Sequence, residues 1–449
     1  MDLKVRLRAG WDDLRDSLWF VPALMVTFAL VLAAAALALE PLPDWFPAGL
    51  VFGGSPEGAR AVLSELAGAT FTVVGLVFSL TLVVLQMASS QYTPRLLRTF
   101  LRDRRTQIVL GGMVASGVFD VAVLQSVRSS VDDQEAFVPA LAVSLALWFA
   151  LGAVGLLIYY LHHITQHMRV DIIMLDIRKE TLAQIEALPA QRDRLPDQEP
   201  PPLPDDARSV PAQRDGYLQT SEPEVIARRA REAGIRVRLR PSIGDWVNRG
   251  TTLAWAWPDG SRPKVGLDRE VASDVVHAGL SLGTDRTEAS DLTFGLRQLA
   301  DMGVKAMSPG VNDPTTAVQA IEHLSGIVGR LAGHPLGADV ANDDDGTPRV
   351  IAPRPVFAAH LALAVDQLRV YGRQDPDVLV ALVHLIADLA ELVADSADRQ
   401  RTVSLQLDRI EAAVDLGDEG DQARVERAID VAREALRSGQ RPPTVTEAS

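Results

Sequence analysis

Apolar residues gather in four long stretches within the first 161 positions, at 19–39, 70–91, 106–127 and 137–161, and beyond them apolar and charged residues alternate closely. A helix needs about 20 consecutive apolar residues to cross the hydrocarbon core of a bilayer, so each stretch predicts one transmembrane helix. Trp19, Phe20, Trp45, Trp148, Tyr159 and Tyr160 stand near the ends of these stretches, where amphipathic rings settle at the membrane interface. The first stretch follows a basic start and ends in alanines, like a leader peptide, but it is too long for that and three more spans follow.

Downstream the period changes. Residues 166–188 continue the fourth span as an amphipathic juxtamembrane helix, and 189–212, with Pro200-Pro201-Pro202, has the composition of an extended linker. Between 213 and 263 a small β-module is expected. Residues 216–219 suggest a strand, and 222–233 a short helix with Ser221 as its N-cap. Ile235, Val237 and Leu239 then alternate with Arg236, Arg238 and Arg240, the period of a half-buried strand. The string 241–253 resembles the hairpin of biotinyl- and lipoyl-type modules, without the lysine a carrier needs at its tip. From 264 to 440 the pattern is helical and predicts a bundle of about six helices, with Asp313-Pro314 and Asp375-Pro376 each opening a helix. The acidic stretch 341–346 is expected as an exposed loop, and 441–449 as a disordered tail. The fold class is therefore an α-helical integral membrane protein with an α+β part outside the bilayer.

Charge sets the orientation. Lys4, Arg6, Arg8 and Arg15 precede the first span, and Arg95, Arg98, Arg102, Arg104 and Arg105 fill the loop between the second and third. The other two loops carry Glu40, Asp44, Glu57 and Glu65, and Asp132, Asp133 and Glu135. Lysine and arginine stay on the cytoplasmic side, which predicts an inner-membrane protein with both termini and the α+β part in the cytosol. Zero cysteines agree with a reducing compartment. The formal net charge of −14 argues against a nucleic-acid partner, which needs a basic footprint.

Three strings carry a resemblance: Phe-Ser-Leu-Thr-Leu-Val-Val-Leu-Gln-Met-Ala-Ser-Ser-Gln-Tyr-Thr-Pro-Arg-Leu-Leu at 78–97, Leu-Ile-Tyr-Tyr-Leu-His-His-Ile at 157–164, and 294–317 with its Ser-Pro-Gly-Val-Asn-Asp-Pro-Thr-Thr-Ala end. Through them the chain resembles the bacterial family of predicted membrane proteins catalogued as domain of unknown function 2254, over most of its length. The resemblance implies a membrane location and no particular activity.

Five groups of residues are candidates for chemistry. On the second span Thr72, Gly75, Ser79, Gln86, Ser90 and Thr93 fall within about 60° of one another on the helix. Such a stripe serves either to pack against neighbouring helices or to line a conduction path, with Arg95, Arg98 and Arg102 then at the inner mouth. Asp120 is an acid inside the third span, either bonded near the outer interface or able to titrate or hold a cation, and Gly112 and Ser116 share its face. His163, His167 and Asp171 follow one another at helical spacing just inside the membrane; a solvated cluster is the ordinary outcome and a metal site the weaker one. Arg236, Arg238 and Arg240 form either a solvated strand face or a site for a small anionic ligand. Ser308, Asn312, Asp313, Thr315 and Thr316 form a corner between two helices, read as capping first.

Catalytic signatures are missing: no phosphate-binding glycine loop, no His-Glu-x-x-His, no Gly-x-Ser-x-Gly and no cysteine nucleophile. No cofactor is expected. The expected partners are the lipid bilayer and further copies of the chain. The sequence reading is a homo-oligomeric ion channel or passive transport pathway with a regulatory domain; the alternative is a membrane-tethered sensor or scaffold without conduction.

Overall fold

The computed structural model describes residues 19–40, 51–91, 103–129, 136–167, 169–188, 201–260, 268–284, 286 and 291–440. The chain divides into two compact units, Met1–Ile172 and Ile173–Ser449. Thr93, Arg95, Arg98 and Arg102, the first half of the expected linker and the expected tail lie outside the described residues.

Among the described residues the first unit holds four helices long and apolar enough to cross a membrane: α1 (Phe20–Ala38), α2 (Pro56–Gln91), α3 (Arg104–Leu124) and α4 (Ala140–His167). α2 starts 14 residues before the apolar stretch that announced it. Glu57, Arg60 and Glu65 make that segment look like a loop, yet Ala59, Leu63 and Ala67 recur at helical spacing and are buried. Pro56 opens the helix, where its missing N–H costs nothing, and the Ser55 hydroxyl accepts from the Gly58 amide at 3.2 Å.

The third helix is the central one. Most of its apolar window, 61%, is buried inside the unit, against 17–28% for the other three. Its glycines make this possible. A Cβ at Gly111 would come within 2.9 Å of Pro22 Cα on α1, and one at Gly117 would press on the Phe71 ring of α2. At Gly112 a Cβ would collide with Leu156 of α4. So α3 is approached by all three neighbours. Phe119 and Phe149 meet edge to face at 4.9 Å between α3 and α4. Glu40 accepts from the Leu141 amide at 2.8 Å and so caps α4. The large apolar side chains left exposed, such as Phe28, Leu76, Trp148, Leu151 and Ile158, cover the outer faces of α1, α2 and α4. In a bilayer that surface meets acyl chains.

The second unit is α+β. α5 (Val170–Glu186) opens it and straddles the division between the units. Then come β1 (Arg208–Pro211), β2 (Gly216–Ser221), α6 (Pro223–Ala233), β3 (Ile235–Leu239), β4 (Trp246–Val247), β5 (Thr252–Pro258), α7 (Arg269–Ala278) and β6 (Leu280–Gly283). α8 (Leu292–Ala306), α9 (Pro314–Ala332), β7 (Asp339–Asn342), β8 (Pro348–Ala352), α10 (Phe357–Tyr371), α11 (Pro376–Leu392), α12 (Ala397–Glu411) and α13 (Glu419–Ser438) follow. A five-stranded sheet has the order β1-β5-β3-β8-β7, and a three-stranded sheet the order β4-β2-β6. β3 and β8 run parallel, with Val237 opposite Val350; every other pair is antiparallel.

The strands therefore extend beyond 213–263. β1 forms at the end of the expected linker, because Val210 adds a buried side chain against β5. β7 and β8 arrive from the middle of the expected bundle to complete the sheet. The hairpin expected at 241–253 does not form: β4 pairs with β2, while β5 pairs with β1 and β3 in the other sheet. Ser221 is not the cap of α6. Glu222 holds that position without a side-chain bond, and Pro223 starts the helix. One core joins α6 and α7 to the sheets through Leu218, Ile226, Val237, Leu253, Val276 and Val350. Each such burial contributes about 1.5–3 kcal/mol against leaving the side chain in water. The later helices pack on α11, whose Leu382, Val383 and Ile386 are fully buried. Asp291, Asp313, Asp375, Ser396 and Asp418 cap α8, α9, α11, α12 and α13 through their side chains.

Candidate functional site

In the membrane unit one set of polar residues forms an outward stripe, while others, Ser116 and Asp120 among them, are buried. Thr72, Gly75, Ser79 and Gln86 are all exposed on α2. Packing inside the four-helix unit is therefore not what the stripe serves. Thr72 donates to the Gly68 carbonyl at 2.8 Å and Ser79 to the Gly75 carbonyl at 2.9 Å, so both hydroxyls turn back onto their own helix. A Cβ added at Gly68 or Gly75 would meet nothing. Thr81 on the same helix instead turns into the unit, where its hydroxyl meets that of the buried Tyr160. Ser90 lies in the same helix.

Asp120 is on the central helix and is completely buried. Neither of its carboxylate oxygens has a hydrogen-bond partner among the described residues, and the same is true of the Ser116 hydroxyl one turn earlier. Ser116 also lines a groove of about 780 Å³ bounded by α1, α3 and α4, with Leu24, Phe28, Gly152 and Leu156 among its walls.

Of the histidine cluster, His163 and Asp171 each have another partner, and the His167 side chain lies outside what the structure describes. His163 is buried, and its Nε2 lies 2.6 Å from Asp103 Oδ2. Its ring stacks on Tyr159 at 5.8 Å. Asp171 instead pairs with Arg169 at 2.7 Å. Among the described residues no group of three His, Asp or Glu side chains is placed to hold a metal ion. Asp103 also accepts from the Thr106 hydroxyl at 2.7 Å and from the Arg105 amide at 3.1 Å, as the N-cap of α3. Burial alone would raise the carboxyl, but the bonds from His163, Thr106 and Arg105 outweigh it and hold Asp103 below the ordinary carboxylate range. The signal for this residue was present in the sequence as Asp-Arg-Arg-Thr at the head of an apolar stretch.

In the second unit Arg236 stands opposite Trp257 and Arg238 opposite Trp255 on neighbouring strands. Cross-strand partners share a face of the sheet. The Arg238 guanidinium lies 5.7 Å from the Trp255 ring centre and donates to the Pro201 carbonyl at 2.8 Å. Arg236 has a buried Nε without a hydrogen-bond partner. Arg240 is exposed beyond the end of β3.

The helix corner is occupied by its own caps. Asp313 accepts from the Thr316 amide at 3.1 Å and from its hydroxyl at 2.6 Å, and Ser308 donates to the Lys305 carbonyl at 2.6 Å. Asn312 takes the left-handed φ of 49° that lets the chain turn. Thr315 is exposed.

Two further features escaped the sequence reading. Asp343, expected in an exposed loop, is buried 2.7 Å from Arg349 Nε, and the same guanidinium also pairs with the buried Asp259. A cavity of about 60 Å³ is lined by Ser221, Asp291, Thr293, Asp339, Arg354 and His360 among apolar walls. Asp291 and Thr293 are neighbours and the other four come from four further places in the chain, so no local string announces the set.

The family model for predicted membrane proteins, domain of unknown function 2254, matches residues 15–388. The chain belongs to this family. Uncharacterized proteins of Mycobacterium bovis and Mycobacterium tuberculosis are similar to this family member, each 35% identical over 445 residues, which is 98% of this chain and 84% of the relative. No solved structure matches it.

Proposed function

We propose that this membrane protein is a homo-oligomeric ion channel or passive transport pathway, lined in part by α2, with the second unit as a regulatory domain. The observation that carries the reading is the stripe of Thr72, Gly75, Ser79 and Gln86, exposed on a helix that must cross the bilayer. An amide such as Gln86 facing acyl chains is costly, and a second copy or a water-filled path removes that cost. Small residues along the same stripe favour close approach of helices. In this reading the protein sits in the inner membrane with both termini in the cytosol, and it carries no catalytic step.

The test is flux from vesicles reconstituted with the full-length protein, across several cations and anions, beside empty vesicles. Flux above the empty-vesicle rate supports the pathway, and bulky apolar replacement at Ser79 or Gln86 blocks it. Absence of flux under every gradient sinks it. One observation favours the alternative of a tethered sensor: Arg236, with its unpartnered Nε beside Trp257, offers a cation for a small anionic ligand. Binding of phosphate or nucleotides lost in Arg236→Ala, with flux absent throughout, is the result that selects the sensor.

A further inference from the structure

Asp120 raises a problem of charge. It is fully buried on the most enclosed helix of the membrane unit, and both of its oxygens lack a hydrogen-bond partner among the described residues. An ionised carboxylate taken out of water and left unpaired costs several kcal/mol even after relaxation. Neither arginine nor lysine pairs with it among the described residues. Ser116, 4% exposed, adds a second unpartnered group one turn away on the same face. Two such groups together are not explained by packing, since apolar residues of similar size avoid the penalty.

We propose that Asp120, with Ser116 beside it, is a proton-binding site of the membrane unit. The charge needs a cation, and the number of oxygens decides which. Hard metal cations gather about six or more oxygen ligands, and the two side chains supply three. A proton needs one. The carboxylate takes H⁺ from hydronium, one O–H bond forms while one breaks in the donor, and no electron changes hands. The resulting acid has a hydroxyl to donate and a second oxygen to accept. Ser116 is a hydroxyl able to do both. Ser116, one turn from the carboxyl, also lines the groove between α1, α3 and α4. Binding does not depend on the transport reading. Its consequence does, since a pathway that loads and unloads Asp120 carries or is gated by protons.

Infrared difference spectra of the full-length protein in phosphatidylcholine–phosphatidylglycerol vesicles test the binding. The expected result is a pH-dependent carboxylic-acid carbonyl band that shifts in heavy water, disappears in Asp120→Asn and moves in Ser116→Ala. Asp120→Glu, which keeps the acid, retains a displaced band. A band unchanged in Asp120→Asn, or no band at any pH at which the protein remains folded, overturns the proposal. Proton flux read with a trapped pH dye is the second arm. The band with no flux of any ion leaves the binding site standing and removes the transport reading. Flux without the band does the reverse.

Discussion

His163 on α4 and Asp103 at the head of α3 meet at 2.6 Å, at the end of the membrane unit where the basic loop enters α3. One carboxylate thus satisfies a helix terminus and a neighbouring ring together. Removing it leaves two helix N–H groups and a buried imidazole without their acceptor. Asp103→Ala therefore destabilises the detergent-solubilised protein at neutral pH by about 1–2 kcal/mol, the usual loss of a good cap, read as a fall in melting temperature. Asp103 is held below the ordinary carboxylate range, so its contribution is complete above pH ~4 and disappears as pH falls through the lower folded value. The gap between Asp103→Ala and the parent should close on acidification. An equal gap at every pH would assign the effect to packing.

Arg349 joins two carboxylates that the chain supplies 84 residues apart, Asp259 after β5 and Asp343 at the end of β7. Both are nearly inaccessible to solvent. Arg349→Met keeps the volume and removes the charge, leaving two buried acids facing one another. A melting temperature lower by on the order of 10 °C is expected for the transition of the second unit, since breaking a buried pair is far more damaging than replacing it whole. The hydrogen bond from Arg349 holds Asp343 below the ordinary carboxylate range. The parent therefore loses this contribution as pH falls through that lower value, and Arg349→Met, which never had it, does not. Circular dichroism melts across the acid range measure both effects.

The membrane helices were legible because each depends on one local property, a long apolar run. Where α2 continued through Glu57, Arg60 and Glu65 that property failed, although the buried spacing of Ala59, Leu63 and Ala67 carried the helix on. Caps such as Asp291, Asp313 and Asp375 were equally readable, being contacts over three residues. The sheet was legible strand by strand but not in its pairing. Nothing near Val237 announces Val350, more than a hundred residues later, as its parallel partner. The site residues divide in the same way. The facing of Thr72, Gly75 and Ser79 toward one side followed from helical geometry, whereas their exposure depended on which face of α2 the other helices cover. His163 was read with its sequence neighbours and found its partner 60 residues away.

The absence of cysteine makes the topology testable with single thiols. Ser55 stands before α2 on the side opposite Asp103, which precedes α3. Ser55→Cys should label in intact cells with an impermeant maleimide. Leu405→Cys, at an exposed position on α12, should label only after the membrane is opened. The opposite pattern inverts the orientation.

Gly75 separates folding from assembly. A Cβ there meets no atom of its own unit, so a larger side chain has room as far as the single copy is concerned. The helix itself gains a little, because glycine inside a helix costs roughly 0.5–1 kcal/mol against alanine. Gly75→Leu should therefore leave the melting of the solubilised monomer unchanged or slightly raised. If α2 faces a second copy along the Gly68, Thr72, Gly75 and Ser79 stripe, the added side chain holds the two helices apart, since such contacts depend on small residues. Native mass spectrometry in detergent should then show the oligomer reduced to monomer, and crosslinking through Ser79→Cys, efficient in the parent, should fall with it. Gly152→Leu is the control. Gly152 also has open space around a Cβ but sits on α4, away from the stripe, and the same substitution there should leave the oligomer intact. Equal assembly of Gly75→Leu and its parent would mean that the stripe faces lipid or water alone, and the pathway would lose the surface assigned to it.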